Sequence, residues 1–512
     1  MLKTPLTKRQ QQLLLMAAAV SSSCGLAVEL LLGTLASYLV GNQALAYGVA
    51  VGGFLAAMGI GSYLSKYIAT DTDSSFLQTE LLSAFVKVEL AIAPLTALLP
   101  LGLFALFVYD GEIWLGLTLS TVILGILAGL EVPLLTRVIE LESNVKDALA
   151  GVLALDYIGA LFGSIAFPLL LLPFCGMFPT GFILGALPAV MVFLLGRQFP
   201  QLRFWKYIGL GIAAALLAIA PISISFTNRL ENNLYQAPIV RRIQSQYQRI
   251  VLTRQGQDLR LFLDGDLQLS TIDEYRYHEA LIHPAMSASL QPKKVLVMGA
   301  GDGMALREIL KWSQVEEIVL IELDPAVVDL ASNYSQLLAV NGNPFEDSRV
   351  SVVYGDAFLK LRELATQFDV IVADFPDPDR EVLAKLYSVG FYQQMLTRLA
   401  DDGVFVTQAS SPFFAPKVIS CIMQTLDYTG LTASPYVTNI PSFGPWGFVL
   451  ASRKTIEPDK LSLPIATRFL TTTMLHSLFD LPKDLNIQEV EINRLAHPVI
   501  VRYQSDRRWL HY

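Results

Sequence analysis

A glycine-rich loop with an aspartate at its centre follows an apolar, strand-like run. The loop is Gly299–Gly303 with Asp302 inside it, and the run before it is Val295–Met298. A strand that enters glycines and then a helix is typical of nucleotide-binding α/β domains, because glycines let the backbone approach the ligand. The Asp302 carboxylate repels anionic groups and attracts an ammonium. We therefore expect decarboxylated S-adenosylmethionine, whose side arm is a propylammonium, rather than a dinucleotide or intact S-adenosylmethionine.

Two further acidic residues follow the next strand-like runs. Glu322, 23 residues after Gly299, ends the second run, where an acid accepts both ribose hydroxyls in folds of this kind. Asp356 ends the third run and suits an adenine amino group; the alternative is that it caps the helix expected over 357–364. Because parallel strands end at one edge of the sheet, we expect these side chains on the same rim.

The fourth strand-like run, 368–373, delivers Asp374, with Asp377 and Asp379 close behind. Clustered acids at this edge can hold a diammonium substrate. Attack of an amine on the carbon beside a sulfonium requires a free lone pair, so one carboxylate must take the proton while others position the chain. Asp374, at the strand end, is the expected proton acceptor, and the alternative is a solvated acidic loop.

The hydrophobic residues concentrate in the first half of the chain. Of 512 residues, 53% are hydrophobic and 16% are charged. Long apolar stretches lie near 13–36, 44–64, 84–108, 112–135, 148–172, 179–196 and 206–225. Each could cross a bilayer, which takes about 20 apolar residues in a helix. The sequence predicts a multi-pass transmembrane domain over residues 1–228 with membrane lipid as its surroundings.

Charge and cysteine usage exclude several classes of site. The formal net charge of −8 gives no basic face for nucleic acid. Cys24, Cys175 and Cys421 are far apart, so neither a disulfide framework nor a metal-ligand spacing is present. We expect no metal and no prosthetic group.

The Lys and Arg residues of the short membrane loops are biased to alternate loops. Lys3, Lys8 and Arg9 in the N-terminal tail place the N-terminus in the cytoplasm by the positive-inside rule. Seven crossings would then put the C-terminal domain outside the cell, away from its donor. We expect the catalytic domain in the cytoplasm, and hence 179–196 or 206–225 to be re-entrant or interfacial.

Four acidic residues fall within or at the edges of the apolar stretches: Glu29, Glu89, Glu131 and Asp156. Burying a charge in lipid is costly, so an acid in a membrane span is a candidate functional site. The two interpretations are a transport path for polyamines and a structural bond between neighbouring helices.

The composition of the chain changes near residue 228, from long apolar stretches to polar, turn-rich sequence. Residues 247–272 alternate in strand fashion around an Asp264-Gly265 hairpin signal, which predicts a small β domain over 229–290. Strands then alternate with helices, which predicts a mostly parallel, doubly wound sheet over 291–512. The expected fold is an α-helical transmembrane bundle, a small β domain and a Rossmann-like domain of the methyltransferase type.

Residues 235–450 resemble the spermidine synthases, the polyamine aminopropyltransferases. The whole chain is similar to the multi-pass membrane branch of that family. The matching segments are Tyr247-Gln248, Leu263-Asp264-Gly265 with Gln268, 273–279, Gly301-Asp302-Gly303 with Arg307-Glu308, 322–324, Gly355-Asp356, Asp374 with Asp377-Pro378, and 386–388 with Phe391-Tyr392.

The resemblance implies transfer of a propylamine group from decarboxylated S-adenosylmethionine, as co-substrate, to putrescine or a related amine. The products are spermidine and methylthioadenosine, and a homodimer is compatible with it. It implies the following roles: Gln248, Glu322, Asp356 and Ala357 on the nucleoside, Asp302 on the aminopropyl ammonium, Tyr277 and His278 beside the reacting amine, and Asp374 as proton acceptor. The position of Asp377, three residues after Asp374 in the following loop, predicts a clamp on the amine.

Two departures from the family pattern fall on the amine-acceptor side. The segment Gln408–Pro412 has no acid where soluble members carry a glutamate, and Phe443 stands where a tyrosine is frequent. These losses and the intramembrane acids favour a rival interpretation, a membrane polyamine transporter or sensor without turnover. The other rival, an S-adenosylmethionine-dependent methyltransferase, is disfavoured because Asp302 would face the donor's carboxylate.

Overall fold

The computed structural model describes residues 6–40, 43–69, 74–109, 111–141, 144–235, 237–485 and 487–504. The chain divides into two compact units, Met1–Gln236 and Ala237–Tyr512. Lys3, used above for the topology, lies outside the described residues.

The first unit is a bundle of helices. They are α1 (Lys8–Val40), α2 (Gln43–Leu64), α3 (Ser74–Val108), α4 (Ile113–Glu140), α5 (Val145–Ala166), α6 (Leu172–Cys175), α7 (Met177–Gln198) and α8 (Arg203–Glu231). A π-helical turn, Phe167–Leu171, joins α5 to α6, so that Val145–Cys175 forms one apolar segment. Within the described residues, seven helical segments are long and apolar enough to cross a membrane, and each overlaps one of the predicted stretches.

The last long helix, α8, runs through the whole length of the bundle. Leu202, just before it begins, packs in the same apolar cluster as Leu14 near the start of α1. Leu230, near its end, packs with Leu35 near the end of α1. Helix α7 is likewise continuous over 22 residues. Neither helix shows the break that a re-entrant segment at 179–196 or 206–225 would require.

The second unit begins with an antiparallel sheet of four strands in the order β1-β2-β3-β4. The strands are β1 (Ile239–Gln244), β2 (Arg249–Gln255), β3 (Asp258–Leu263) and β4 (Asp266–Ser270). Asp264 and Gly265 form the turn between β3 and β4 with φ angles of 52° and 98°. Positive φ at both central residues is the geometry of a two-residue hairpin, so this prediction is confirmed.

A seven-stranded sheet follows. Its strands are β5 (Lys294–Gly299), β6 (Glu317–Glu322), β7 (Val350–Tyr354), β8 (Phe368–Asp374), β9 (Leu399–Gln408), β10 (Thr432–Ile440) and β11 (Gly444–Ser452). The helices of this unit are α9 (Glu274–Ala288), α10 (Met304–Leu310), α11 (Pro325–Asn333), α12 (Ser335–Asn341), α13 (Ala357–Glu363), α14 (Glu381–Ala384), α15 (Val389–Leu396), α16 (Pro416–Tyr428), α17 (Thr472–Ser477) and α18 (Ile500–Gln504).

The strand order is β10-β11-β9-β8-β5-β6-β7, with β5 to β9 parallel and β10 and β11 antiparallel. The predicted doubly wound fold, with its strands and helices from Val295 to Asp374, is confirmed. Strand order reverses between β5 and β8, and ligands of such sheets bind at that switch point, beyond the carboxyl ends of the strands.

Both faces of this sheet are covered. Along β5, Leu296 and Met298 belong to one core cluster, whereas Val295 and Val297 belong to another on the opposite face. Successive side chains of a strand point to opposite faces, so a strand buried on both sides is apolar throughout. This explains why β5, β6 and β8 are continuous apolar runs that end abruptly in polar residues.

Candidate active site

A cleft of about 800 Å³ lies at the carboxyl ends of the parallel strands, between the two sheets of the second unit. All nine sequence-predicted site residues line it: Gln248, Tyr277, His278, Asp302, Glu322, Asp356, Ala357, Asp374 and Asp377. Among the described residues, no group of three or more His, Cys, Asp or Glu side chains is arranged to hold a metal ion.

The glycine loop brings the ends of β5, β6 and β8 together. Gly299 has a φ of +79°, and a Cβ there would lie 2.1 Å from the carbonyl oxygen of Asp374. A Cβ on Gly301 would lie 2.7 Å from Oε2 of Glu322. Any side chain at either position would push an acidic strand end away from the loop. The glycines therefore set the spacing of the carboxylates as well as the approach of a ligand.

Asp302 is fixed at the start of α10. Its Oδ1 accepts a hydrogen bond of 2.8 Å from the backbone N–H of Met304, and its backbone carbonyl accepts one of 3.0 Å from Asn341 Nδ2. The side chain is 12% exposed, so it reaches the cleft while being held in one orientation. The carboxylate can thus receive an ammonium without losing its structural bond.

Asp374 is paired with a tyrosine. Tyr277 Oη donates a hydrogen bond of 2.5 Å to Asp374 Oδ1. Burial raises the pKa of Asp374 to about 6, although the His278 cation and the Tyr277 hydroxyl oppose the rise. Burial and the adjacent Asp374 charge raise the pKa of Tyr277 well above its usual value, so the phenol keeps its proton. Asp374 is therefore ionised at neutral pH and able to accept a proton.

His278 is a cation rather than a base. Its Nδ1 lies 2.8 Å from the carbonyl oxygen and 3.0 Å from Oε2 of Glu274, and its Nε2 lies 4.0 Å from Asp302 Oδ1. Glu274 also receives two hydrogen bonds of 2.9 Å from Arg307. Burial lowers the pKa of His278, but the hydrogen bond to Glu274 and the Asp302 charge outweigh it and raise it to about 9.

The ribose candidate, Glu322, sits at the end of β6 and is 8% exposed. Its Oε1 accepts a hydrogen bond of 3.0 Å from the backbone N–H of Asp324. Burial raises the pKa of Glu322 to about 7, and the Asp324 and Asp302 charges act in the same direction. Gln248 Nε2 and Ser245 Oγ donate to Asp324 Oδ2 at 3.0 and 2.6 Å. Asp324, given no role from the sequence, thus positions two of the nucleoside candidates, Gln248 and Glu322.

Asp356 does cap a helix. Its Oδ1 accepts a hydrogen bond of 2.9 Å from the N–H of Phe358 at the start of α13, and its Oδ2 accepts one of 2.5 Å from Lys385 Nζ. The capping interpretation is confirmed, and the residue lines the cleft as well. Ala357 is the first residue of α13, so its N–H has no acceptor within the helix and is available to a ring nitrogen.

Asp377 is held by three neutral donors. Ser410 Oγ and Gln504 Nε2 donate to its Oδ2 at 2.9 and 2.8 Å, and Gln408 Nε2 donates to its Oδ1 at 3.2 Å. Burial raises the pKa of Asp377 to about 6, and these hydrogen bonds limit the rise. Among the described residues, Gln504 Oε1 is buried without a partner. Asp377 is therefore an acid surrounded by amides and a hydroxyl.

Asp379 also lines the cleft but has an arginine as its partner. Arg380 Nε lies 3.7 Å from Asp379 Oδ2, and its Nη1 lies 3.2 Å from Asp264 Oδ2 in the β3–β4 turn. Arg380 therefore connects the loop after β8 to the smaller sheet and partly neutralises these two acids. Asp374 and Asp377, both half-buried, are the two acids of this loop that Arg380 does not contact.

The sequence placed the segment Gln408–Pro412 on the amine-acceptor side but gave Gln408 and Ser410 no role, and it gave no sign of Gln504. Gln408 is the last residue of β9, so the rule that strand ends point into the crevice could have found it. Gln504 is 127 residues from Asp377 along the chain and follows no strand. No local pattern marks it.

Comparison with known proteins extends these observations to the whole chain. The Spermine/spermidine synthase domain family matches residues 274–460. A polyamine aminopropyltransferase of Leptospira interrogans serogroup Icterohaemorrhagiae serovar copenhageni is 40% identical over 504 residues, which is 98% of this chain and 99% of that protein. The chain belongs to the polyamine aminopropyltransferase family. A polyamine aminopropyltransferase of Oceanobacillus iheyensis is 35% identical over 98% of this chain and 99% of that protein.

A solved structure is similar to about half of the chain. A spermidine synthase in complex with the transition state analogue AdoDATO is 28% identical, covers 48% of this chain and 86% of its own, and has a TM-score of 0.45. The aminopropyltransferase relatives, by contrast, match along nearly all of the chain, including the helical unit. The expected enzyme class and family are confirmed.

Proposed function

We propose that this aminopropyltransferase moves the propylamine group of decarboxylated S-adenosylmethionine to putrescine or a related diamine, giving spermidine and methylthioadenosine. The observation that carries the proposal is the arrangement of Asp302, Asp374 and Asp377 along one cleft. Each of the three can meet a different nitrogen: the donor's ammonium, the attacking amine and the distal ammonium.

The donor would lie along the ends of β5, β6 and β7. Glu322 would accept the ribose hydroxyls, with Gln248 beside it, and Asp356 and Ala357 would face the adenine edge. Asp302 would hold the ammonium of the aminopropyl arm. Intact S-adenosylmethionine would bring a carboxylate to the same place, and two carboxylates in a partly buried site repel each other.

The chemical step needs only a positioned base. The amine nitrogen uses its lone pair to form a bond to the propyl carbon beside the sulfonium, and the carbon–sulfur bond breaks with its electron pair going to sulfur. Methylthioadenosine leaves as a neutral thioether. Asp374, ionised above about pH 6, takes the proton from the amine, and Tyr277 keeps the carboxylate in place.

The distal end of the acceptor would bind at Asp377. Gln408, Ser410 and Gln504 hold that carboxylate, and Gln504 Oε1 offers a further acceptor for an ammonium N–H. These groups would take the part of the glutamate that this chain lacks. The acceptor site would then carry less negative charge than in the soluble members described above.

We further propose that the helical unit spans a cell membrane in contact with lipid, with the catalytic unit in the cytoplasm. Its helices expose large apolar side chains, among them Leu55, Leu98, Leu115, Phe162 and Ile222. An apolar surface of this kind needs lipid or another apolar partner. We also propose that a small β domain, expected over 229–290, and a catalytic domain, 291–512, follow the helical unit; α8 continues to Glu231, so the β domain begins a few residues later than the sequence predicts.

Product analysis tests the reaction. The purified full chain is incubated with decarboxylated S-adenosylmethionine and one amine at a time: putrescine, cadaverine, spermidine or another amine. Products are measured by mass spectrometry. Methylthioadenosine and an aminopropylated amine should form in equal amounts. A methylated amine formed from intact S-adenosylmethionine would support the methyltransferase instead, and binding without any product would support a sensor.

Cysteine accessibility tests the topology. Single cysteines at Thr7 and Asp459 are introduced into a variant without Cys24, Cys175 and Cys421. Asp459 should be labelled from the cytoplasm. Thr7 should be labelled from the opposite side, because α8 runs through the whole bundle, and this replaces the cytoplasmic N-terminus that the Lys and Arg bias predicts. Labelling of both from the cytoplasm would mean an even number of crossings, as a cytoplasmic N-terminus and a cytoplasmic catalytic unit together require. Labelling of Asp459 from outside would contradict a cytoplasmic catalytic unit.

A further inference from the structure

A small cavity lies inside the helical unit. Its volume is about 20 Å³. Residues of five helices line it: Ser21, Cys24, Gly25 and Val28 of α1, Phe54 of α2, Glu89, Ile92 and Thr96 of α3, Leu124, Ala128 and Glu131 of α4, and Pro188 of α7. Two of these are acidic residues, Glu89 and Glu131, which are 0% and 6% exposed.

One carboxylate oxygen in this cavity has no partner. Glu89 Oε1 accepts a hydrogen bond from Ser21 Oγ, whereas Glu89 Oε2, within the part of the chain that the structure describes, is buried without any hydrogen bond. Leaving a buried polar atom unpaired costs about 1–3 kcal/mol, and more for a charged group. The orphaned oxygen is therefore an independent sign that the cavity holds something the protein itself does not supply.

The charge balance of the cavity indicates a cation. The lining residues include two acids and neither lysine nor arginine. Buried charges in proteins are paired or coordinate metals, because an isolated one is costly to desolvate. The Ser21 and Thr96 hydroxyls lie in the same lining, so oxygen atoms of the type that hard cations prefer surround the space.

The size of the cavity limits the ligand. A single water needs at least about 10–15 Å³ of such volume, so 20 Å³ accommodates a group of about one heavy atom. A whole diamine does not fit. The site is therefore separate from the amine-binding site of the catalytic unit, and it stands whether or not the proposed reaction is correct.

We propose that this cavity binds one small monovalent cation, either an alkali ion or an ammonium group, between Glu89 and Glu131. Both carboxylates would ligate the ion, and the orphaned Oε2 of Glu89 would receive its missing partner. Helices α3 and α4 contribute the acids and α1 the Ser21 hydroxyl, so the ion would hold three helices of the bundle together.

Thermal unfolding of the full chain in lipid nanodiscs tests the proposal. Unfolding of the helical unit is followed in LiCl, NaCl, KCl, NH4Cl and methylammonium chloride, each against N-methylglucamine chloride at the same ionic strength. A ligand that binds only the folded state raises Tm with its concentration. A rise with an alkali ion but not with ammonium, or the reverse, identifies the source of the cation.

Variants locate the site. Glu89→Gln and Glu131→Gln should each raise the half-saturating cation concentration about tenfold or more, as expected for the loss of a charged ligand. Glu29→Gln is the matched control, because Glu29 is also a buried acid of α1 but does not line the cavity. Its response to the cation should equal that of the unmodified chain.

Three results would overturn the inference. Equal Tm values of the unmodified chain in all salts would mean that protons alone neutralise the pair. An equal loss of response in Glu29→Gln, or a full response in Glu89→Gln, would place the effect elsewhere. If Glu89→Gln does not fold, Ser21→Ala, which keeps both carboxylates, should weaken the response, and an unchanged response would count against the site.

Discussion

The side of the cleft proposed for the donor and the side proposed for the acceptor are built differently. On the donor side, Asp302, Glu322 and Asp356 follow β5, β6 and β7, three neighbouring parallel strands. On the acceptor side, Asp377 is held by Gln408 and Gln504, which come from separate parts of the chain. Repetition of one structural unit places the first set, whereas the second combines the end of strand β9 with Gln504 of α18, which follows no strand. A nucleoside site can therefore be inferred more directly than an amine site.

Two neighbouring residues, Tyr277 and His278, contact different acids of the cleft. Tyr277 donates to Asp374, and His278 faces Asp302 and Glu274. The resemblance placed both beside the reacting amine. The structure gives them separate partners, and the raised pKa of His278, about 9, makes it a cation that orients acids rather than an alternative base.

Removing the proton acceptor should have the largest effect. Asp374→Asn keeps the shape of the side chain but cannot take a proton, so kcat should fall by about 10²–10⁴, the usual contribution of a general base. Nucleoside affinity, measured by calorimetry with methylthioadenosine, should stay nearly unchanged because its contacts lie on other strand ends. Near-normal turnover at saturating amine would remove Asp374 from this role.

The next effect should be confined to the donor. Asp302→Asn should weaken binding of decarboxylated S-adenosylmethionine by about 1–3 kcal/mol, the cost of losing a charged hydrogen-bond partner. The preference over intact S-adenosylmethionine should narrow, since the repulsion of its carboxylate disappears. Calorimetry with both ligands measures this. An unchanged preference would show that another residue discriminates between them.

On the acceptor side we expect changes in KM rather than in kcat. Asp377→Asn should raise the KM for the amine about tenfold, and Gln504→Ala, which removes a neutral partner, by a few-fold. The KM for the donor is the internal control and should not move in either variant. A loss of kcat in Gln504→Ala that saturating amine does not restore would contradict a positioning role.

The smallest effect concerns pH. An acid with a raised pKa is ionised only above it, so the base form of Asp374 is lost as pH falls through about 6. At saturating amine, kcat should fall about twofold from pH 7 to pH 6, and more steeply below. Asp377 also titrates near 6, so the profile of Asp377→Asn separates the two. Asp377→Asn should still show the fall in kcat at low pH, whereas the residual activity of Asp374→Asn should no longer show it.

The secondary-structure elements and the acids at the ends of the parallel strands could be predicted from the sequence. The apolar runs of β5, β6 and β8, and the seven long apolar stretches, are properties of consecutive residues, so their secondary structure could be inferred locally. The acids that end the parallel strands followed from topology, because all those ends meet at one edge. The family resemblance added Gln248, Tyr277 and His278, which no period or spacing would have selected.

Only the tertiary structure decided the partners of these residues. Three hydrogen-bonded pairs join residues that are far apart in the chain: Lys385 and Asp356 are 29 residues apart, Gln504 and Asp377 are 127 apart, and Ser21 and Glu89 are 68 apart. Which charge is neutralised, which carboxylate takes up a proton near pH 6 and which oxygen is left without a partner depend on burial and on neighbours brought together by folding. Local sequence carries the identity of each group, but its protonation and its role are set by contacts that no local pattern encodes.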